Sequence, residues 1–262
     1  MPRVSLVIAV YNQVQCTRPC LESIARCTPL PHELVLVDNG STDGTKELLA
    51  TVKATVISNA TNLGCAKAWN QGIRVSKGDM VGILNNDIVV TPGWLEGLLA
   101  FMDRTGYALV SPAAREGVLD YDLDRYAQEY TQRCARAVRH GEAYAPCMLI
   151  RREVFERVGL FDEGFTKGGG EDTDFFWRLK AAGFSMGMTG SVLIHHIGMV
   201  TQDAIKKTET KSYTLENVVY FQRKWMRTMR GNWFQRRWAD WSLSWRKRYE
   251  RFRYGHTLVE KS

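Results

Sequence analysis

Residues 4–38 read VSLVIAVYNQVQCTRPCLESIARCTPLPHELVLVD. The two ends of this stretch, VSLVIAV at 4–10 and ELVLVD at 33–38, are β-branched apolar runs that stop at polar residues, Tyr11 and Asn12 in one case and Asp38 in the other. Between them, Pro19 to Cys27 reads as a helix with Leu21, Ile24 and Ala25 on one face. Strand, helix and strand in this order form a parallel pair. Strands that are apolar almost without interruption suit a sheet covered on both sides.

Working outward, the alternation continues. Ser41 to Asp43 offer a cap and acidic first turn for a helix through Leu49, Thr55 to Ser58 a third strand, and Cys65 to Val75 a helix. Met80 to Asn85 is a fourth strand that stops at Asn85, Asn86 and Asp87. Trp94 to Met102 is helical and Tyr107 to Ser111 extended. Polar residues collect after the carboxyl ends of these strands, the edge at which open α/β sheets bind ligands. The second half is less regular: 121–139 is helix or loop, 145–151 strand, 152–158 helix, 172–182 helix and 191–196 strand. No linker cuts the chain before about residue 200, so the expected division is a catalytic unit at 1–205 and an extension at 206–262.

With 262 residues, 45% hydrophobic and 24% charged, the chain can bury a large core and is neither disordered nor of low complexity. Its apolar runs fall short of the roughly 20 residues that span a bilayer. Val4 to Val10 is too short for a secretory h-region, so a cytoplasmic location is expected. Six cysteines without a CxxC pair read as small buried hydrophobes. Charge is uneven: residues 201–262 hold 15 Lys and Arg against 6 Asp and Glu, and the rest hold 20 against 22. A basic tail on a near-neutral globule points to an anionic contact.

Five clusters follow the strand ends: VDNGSTDGT with Asp38, NLG with Asn62 and Gly64, LNNDI with Asn85 to Asp87, GGGEDTDFFWRL with Glu171, Asp172 and Asp174, and the pair His195 and His196. Singly, each has a plain structural reading. Asp38, Asn39 and Gly40 can be a turn, Asp87 a helix cap, and the histidines one core and one surface imidazole.

In order and spacing, however, the five together resemble the family-two glycosyltransferases of GT-A fold, particularly the bacterial rhamnosyltransferase-like branch. That pattern runs from a strand ending in YN, through DNxSxDGT, NLGxAxxxNxG, LNxD and GEDxDxxxR, to an IHH strand, and it covers residues 4–200. The resemblance implies an α/β GT-A fold with a mostly parallel central sheet, to which the residues after about 210 add a helical basic carboxyl-terminal tail. It also implies an inverting, metal-dependent enzyme that moves a hexosyl or deoxyhexosyl group from a nucleotide-sugar to an acceptor hydroxyl, in cell-surface polysaccharide or glycoconjugate synthesis.

Carried over residue by residue, the resemblance places Asp38 on the nucleobase with Tyr11 and Asn12 walling the pocket, and Asn62 and Gly64 on the ribose side. Asn85, Asn86 and Asp87 stand for the DXD motif. Asp87 is then a ligand of a divalent metal, manganese or magnesium, and Asn85 supplies an oxygen without the charge. Neighbours on a strand face opposite ways, so one imidazole reaches the metal, and His195 is taken over His196. Asp172 is the general base, Glu171 its neighbour and Asp174 on another face. Lys167 with Gly168 to Gly170 reads as a loop entering the site or as a solvated turn.

The implied donor is a uridine or thymidine diphosphate sugar, and the acceptor a glycan, a lipid-linked glycan or a flagellin-like protein. In the tail, Phe234, Trp238, Trp241, Trp245, Tyr249 and Phe252 recur at three- and four-residue steps. This stripe packs on the catalytic unit or a second copy as a homodimer, or meets an anionic membrane surface at the inner face of the membrane. A protein acceptor and, least favoured, nucleic acid are the other readings. A nucleotidyltransferase would show a Gly- and Arg-rich signature that YNQVQCTRPC at 11–20 lacks. A non-catalytic binding module is supported only by Asn85 in place of an acidic residue.

Overall fold

The structure, a computed structural model, describes residues 3–198, 213–225 and 233–261. The expected boundary at 205/206 lies outside the described residues.

The strand expectations hold at β1 (Val4–Val10), β2 (His32–Asp38), β3 (Thr55–Ser58) and β4 (Met80–Asn85), which pair in parallel in the order β3-β2-β1-β4. The connecting helices are α1 (Val14–Cys27), α2 (Thr45–Ala50) and α3 (Cys65–Val75). α1 starts five residues before Pro19, which sits inside it. Its first turn is secured from outside: Asp43 Oδ2 accepts from the Val14 amide at 3.0 Å. That contact cannot be read locally.

Both faces of the sheet are dry, as the apolar strands require. Leu6, Ile8, Leu36 and Leu84 join one core with α1 and α4 (Trp94–Thr105). Val7, Val35, Val81 and Ile83 join the other, under α3, α6 (Arg152–Val158) and α7 (Glu171–Ala181). Gly72 lets α3 settle on β1, because a Cβ there would stand 2.3 Å from Val7 Cγ1.

The sheet is mixed beyond β4. β5 (Ile88–Val90), β6 (Leu109–Glu116), β8 (Cys147–Arg151) and β9 (Met186–His196) extend it in the order β4-β8-β6-β9-β5, with β8 antiparallel to β4 and β6. α5 (Leu123–Cys134) leads to β7 (Val138–His140), which pairs with the start of β9. β9 runs parallel to β6 with a break in register: Pro112 pairs with Thr189 and Ala113 with Leu193. A bulge of this kind re-aims the strand. The end of β9 is thereby free to pair with β5, His196 opposite Ile88 and His195 opposite Val89.

α8 (Tyr213–Trp225) and α9 (Trp233–Tyr254) follow, and β10 (Val259–Lys261) returns to pair in parallel with β6. The extension therefore ends as a strand of the main sheet, not as a helix alone. Of the aromatic stripe, the side chains of Phe234, Trp238 and Trp241 lie outside what is described. Trp245, Tyr249 and Phe252 are exposed, Phe252 by 90%.

Candidate active site

A cavity of about 320 Å³ opens at the carboxyl ends of β1 and β4, with Tyr11, Asn39, Asn62, Asn85, Asn86, Asp87, Lys167, Glu171, Asp172 and His196 among its walls. Residues from stretches far apart in sequence thus meet in one crevice.

Asp38 ends β2 opposite Val10. Its Oδ1 accepts from the Ser41 amide at 2.9 Å, while its buried Oδ2 has no hydrogen-bond partner among the described residues. Asn12 braces the same loop with positive φ: its amide donates to Ser41 Oγ at 2.9 Å and its Oδ1 accepts from the Thr42 amide at 2.7 Å. It supports the wall that Tyr11 lines. Asn39, to which the motifs assign no role, is the hub here. Its Nδ2 donates to Asn62 Oδ1 at 2.9 Å and its Oδ1 accepts from the Leu63 amide at 3.1 Å, drawing the 59–64 loop to the end of β2. The only local signal for this role was its place between Asp38 and Gly40.

Gly64, at φ +90°, makes its close approach to protein: a Cβ would stand 2.9 Å from the Lys167 amide nitrogen. The backbone at Lys167 is itself left-handed, at φ 59°. Its loop is pinned from α8, where Asn217 accepts from the Thr166 amide at 2.9 Å and donates to the Thr166 carbonyl at 2.9 Å.

At the end of β4 the Asn85 amide donates to the Pro146 carbonyl at 2.9 Å, and Asn86 Nδ2 donates to Thr17 Oγ1 at 2.9 Å. Asp87 is buried beside β9, its carbonyl accepting from the Ile197 amide at 2.9 Å. The expectation for His195 is overturned here. His195 is fully buried away from the cavity, with Nδ1 2.8 Å from the Tyr121 hydroxyl and Nε2 3.0 Å from the Gly117 carbonyl. His196 lines the cavity, and its Nε2 lies 3.3 Å from Asp87 Oδ1. The cause is the register of β5 against β9, which the sequence does not display. Burial lowers the basicity of both imidazoles. In His196 the carboxylates of Asp87 and Glu116 outweigh burial and raise its pKa to about 9. In His195 burial outweighs the Gly117 carbonyl and the Asp120 charge, and the pKa stays lowered. His196 and the Tyr144 hydroxyl, in turn, hold the Glu116 carboxyl down at about 2 against its burial.

Asp87 Oδ1 and His196 Nε2 are both buried and neither meets the geometry of a hydrogen bond. A carboxylate oxygen beside an imidazole nitrogen is a donor set that suits manganese or magnesium, so the pair fits a divalent ion. Among the described residues no group of three His, Cys, Asp or Glu side chains could hold an ion by itself.

The opposite wall is the amino terminus of α7, reached through Gly170 in left-handed conformation. Glu171 is buried, and its Oε2 accepts from the Gly169 amide at 2.5 Å. Burial, with the Asp172 charge adding to it, pushes its pKa up to about 7. Asp172 is half-buried and lines the cavity, its Oδ1 accepting from the Thr173 amide at 2.7 Å. Asp174 faces away. It accepts from Arg178 Nε, Lys224 Nζ and Trp225 Nε1, each at 2.8 Å, and so seats α8 on α7.

The fold is the GT-A fold of sugar-transferring enzymes. The glycosyl transferase family 2 profile matches residues 5–159, and the chain belongs to that family. A second profile, the N-terminal domain of galactosyltransferase, matches residues 137–203. Glycosyltransferase AglE of Haloferax volcanii is 30% identical over 224 residues, covering 79% of this chain and 71% of AglE. An uncharacterised Sinorhizobium fredii protein, y4gI, is 25% identical over 86% of this chain, which spans only 28% of y4gI. The crystal structure of GalNAc-T7 with UDP, GalNAc and Mn2+ superposes with a TM-score of 0.66 at 18% identity, covering 87% of this chain and 50% of that one.

Proposed function

We propose that this glycosyltransferase is inverting and metal-assisted, and moves a hexosyl or deoxyhexosyl group from a uridine or thymidine diphosphate sugar to an acceptor hydroxyl. The observation that carries the reading is that Asp87, His196 and Asp172 face one cavity. The buried Oδ2 of Asp38, which has no hydrogen-bond partner among the described residues and sits one residue from the cavity-lining Asn39, is the acceptor for the imide N–H that uracil and thymine share. Asn39 and Asn62 hold the adjoining loop in place. Asp87 and His196 would hold the divalent ion, which when bound offsets the charge that develops on the departing diphosphate. Asp172 takes the acceptor proton. Glu171, fixed to the Gly169 amide, shapes the loop beside it.

The test is Asp172→Asn with nucleotide-sugar donors and Mn2+. Transfer should fall about a hundred- to ten-thousandfold while donor affinity stays within about twofold. Weaker donor binding with turnover intact would refute the role. The anomeric configuration of the product, read by NMR, decides inversion.

The acceptor reading rests on α9. Trp245, Tyr249 and Phe252 are exposed, with Trp245 stacked on Tyr249 at 5.9 Å, and Lys247, Arg248, Arg251 and Arg253 are exposed on the same helix. Interfacial aromatics and cations, the latter about 1 kcal/mol each near an anionic surface, suit an enzyme that works at the inner face of a membrane on a lipid-linked glycan. Among the described residues no helix is long and apolar enough to cross a membrane. Flotation with vesicles containing phosphatidylglycerol, lost in a Trp245→Ala, Phe252→Ala variant, would support this. Dimerisation through the same face without vesicle binding would overturn it.

A further inference from the structure

The geometry points to Glu116 and Tyr144 as positioning residues that hold one His196 proton on Nδ1, so that the proton the ring gives up when an ion binds is the one on Nε2, facing Asp87. This rests on the reading that Asp87 and His196 hold the divalent ion. Neither Glu116 nor Tyr144 belongs to a motif of the sequence pattern.

The Tyr144 hydroxyl lies 2.8 Å from Glu116 Oε1 and 2.7 Å from His196 Nδ1. Glu116 itself is 3.6 Å from that nitrogen, too far for a direct hydrogen bond, so the phenol oxygen stands between them. A phenol has one proton, and a carboxylate can only accept. The Tyr144 proton therefore goes to Glu116, and the oxygen turns its lone pairs to His196, which must donate from Nδ1. In an imidazole carrying a single proton, the free lone pair is then on Nε2, 3.3 Å from Asp87 Oδ1. The relay is itself held: the Tyr144 amide donates to Ser111 Oγ at 2.8 Å, and Glu116 lies on β6 opposite Lys261 of β10.

His195 gives the opposite arrangement one residue away. Its Nε2 meets the Gly117 carbonyl at 3.0 Å, which can only accept, so the proton is on Nε2 and Nδ1 accepts from the Tyr121 hydroxyl at 2.8 Å. Both nitrogens are consumed. When each holds a single proton, the two adjacent imidazoles, each beside a tyrosine, are thus set in opposite tautomers, and only His196 turns a nitrogen to the cavity. Partners that orient a metal-binding histidine in this way commonly change metal affinity ten- to a hundredfold when removed.

The experiment is Mn2+ binding in the presence of UDP, read from the electron paramagnetic resonance of the free ion. Thermal melting and UDP affinity without metal serve as controls on folding. Tyr144→Phe should weaken Mn2+ binding about ten- to a hundredfold. Glu116→Gln should do likewise, because its amide can donate to the phenol oxygen and turn the phenol proton toward His196; it carries the test if Tyr144→Phe does not fold. Tyr121→Phe, the same change beside the other imidazole, should leave Mn2+ affinity within about twofold. His196→Gln separates the layers. If it binds Mn2+ as the parent does, the metal reading itself fails. If it loses Mn2+ while Tyr144→Phe and Glu116→Gln bind as tightly as the parent, the positioning role is overturned, as it is by equal losses in Tyr144→Phe and Tyr121→Phe.

Discussion

Arg139 of β7 and Glu250 of α9, 111 residues apart, are joined by two hydrogen bonds of 2.7 Å with both side chains buried. Glu250 Oε2 also accepts from the Leu258 amide at 3.1 Å, so one carboxylate ties α9 and the approach to β10 to the main sheet. The carboxyl-terminal helix is a fixed platform, not a loose arm.

Breaking that pair by Arg139→Ala should destabilise the protein by about 3–5 kcal/mol, since Glu250 is left charged and buried. The apolar double change Arg139→Met, Glu250→Leu should recover most of the loss. Urea denaturation of the three proteins checks both.

Asp174 is expected to be structural. Asp174→Asn removes the charge shared by Arg178 and Lys224 and should cost on the order of 3 kcal/mol, at about 1.5–3 per charged hydrogen bond. Turnover per folded molecule should be retained. A variant that melts normally yet transfers no sugar would move the base from Asp172 to Asp174.

Gly64→Ala is expected to disturb the site as well as the fold. At φ +90° the new Cβ is strained and presses on the Lys167 backbone. Gly93→Ala is the control: its φ is +77° with nothing within 4 Å of the added atom. Both should lose about 1 kcal/mol or more of stability. Only Gly64→Ala should weaken nucleotide-sugar binding, measured by calorimetry.

Glu171 sets a pH dependence of stability. Its carboxyl keeps the proton to about pH 7 in the folded protein, against an ordinary glutamate value of 4.5. The folded state therefore binds more protons in that window, and stability contributed by the protonated form is lost as pH rises from about 4.5 to 7. Glu171→Gln should remove this slope and be more stable than the parent at pH 8 by roughly 2–3 kcal/mol. Melting temperatures of the two proteins across pH 5–8 test the sign, and a parent more stable than the variant at pH 8 overturns it.

Much of the crevice could be read in advance because its residues sit in short motifs at strand and helix ends, where chain direction alone gathers them at one sheet edge. Asp87 and Asp172 are of this kind, and Asp38 ends β2 next to the cavity-lining Asn39. The motif places Gly64 on the ribose side, but the backbone it approaches is that of Lys167. Asn39, Glu116 and Tyr144 were not legible, since each acts through a partner brought near only by folding.

The alternation of apolar runs by itself determined a covered α/β sheet with its polar residues at one edge, because burying both faces of a parallel strand leaves no room for polar side chains along it. The choice between His195 and His196 belonged to the tertiary structure. Adjacent strand residues point to opposite faces, and which face meets Asp87 depends on the register skip between β6 and β9 and on the pairing of β9 with β5, neither of which local sequence encodes.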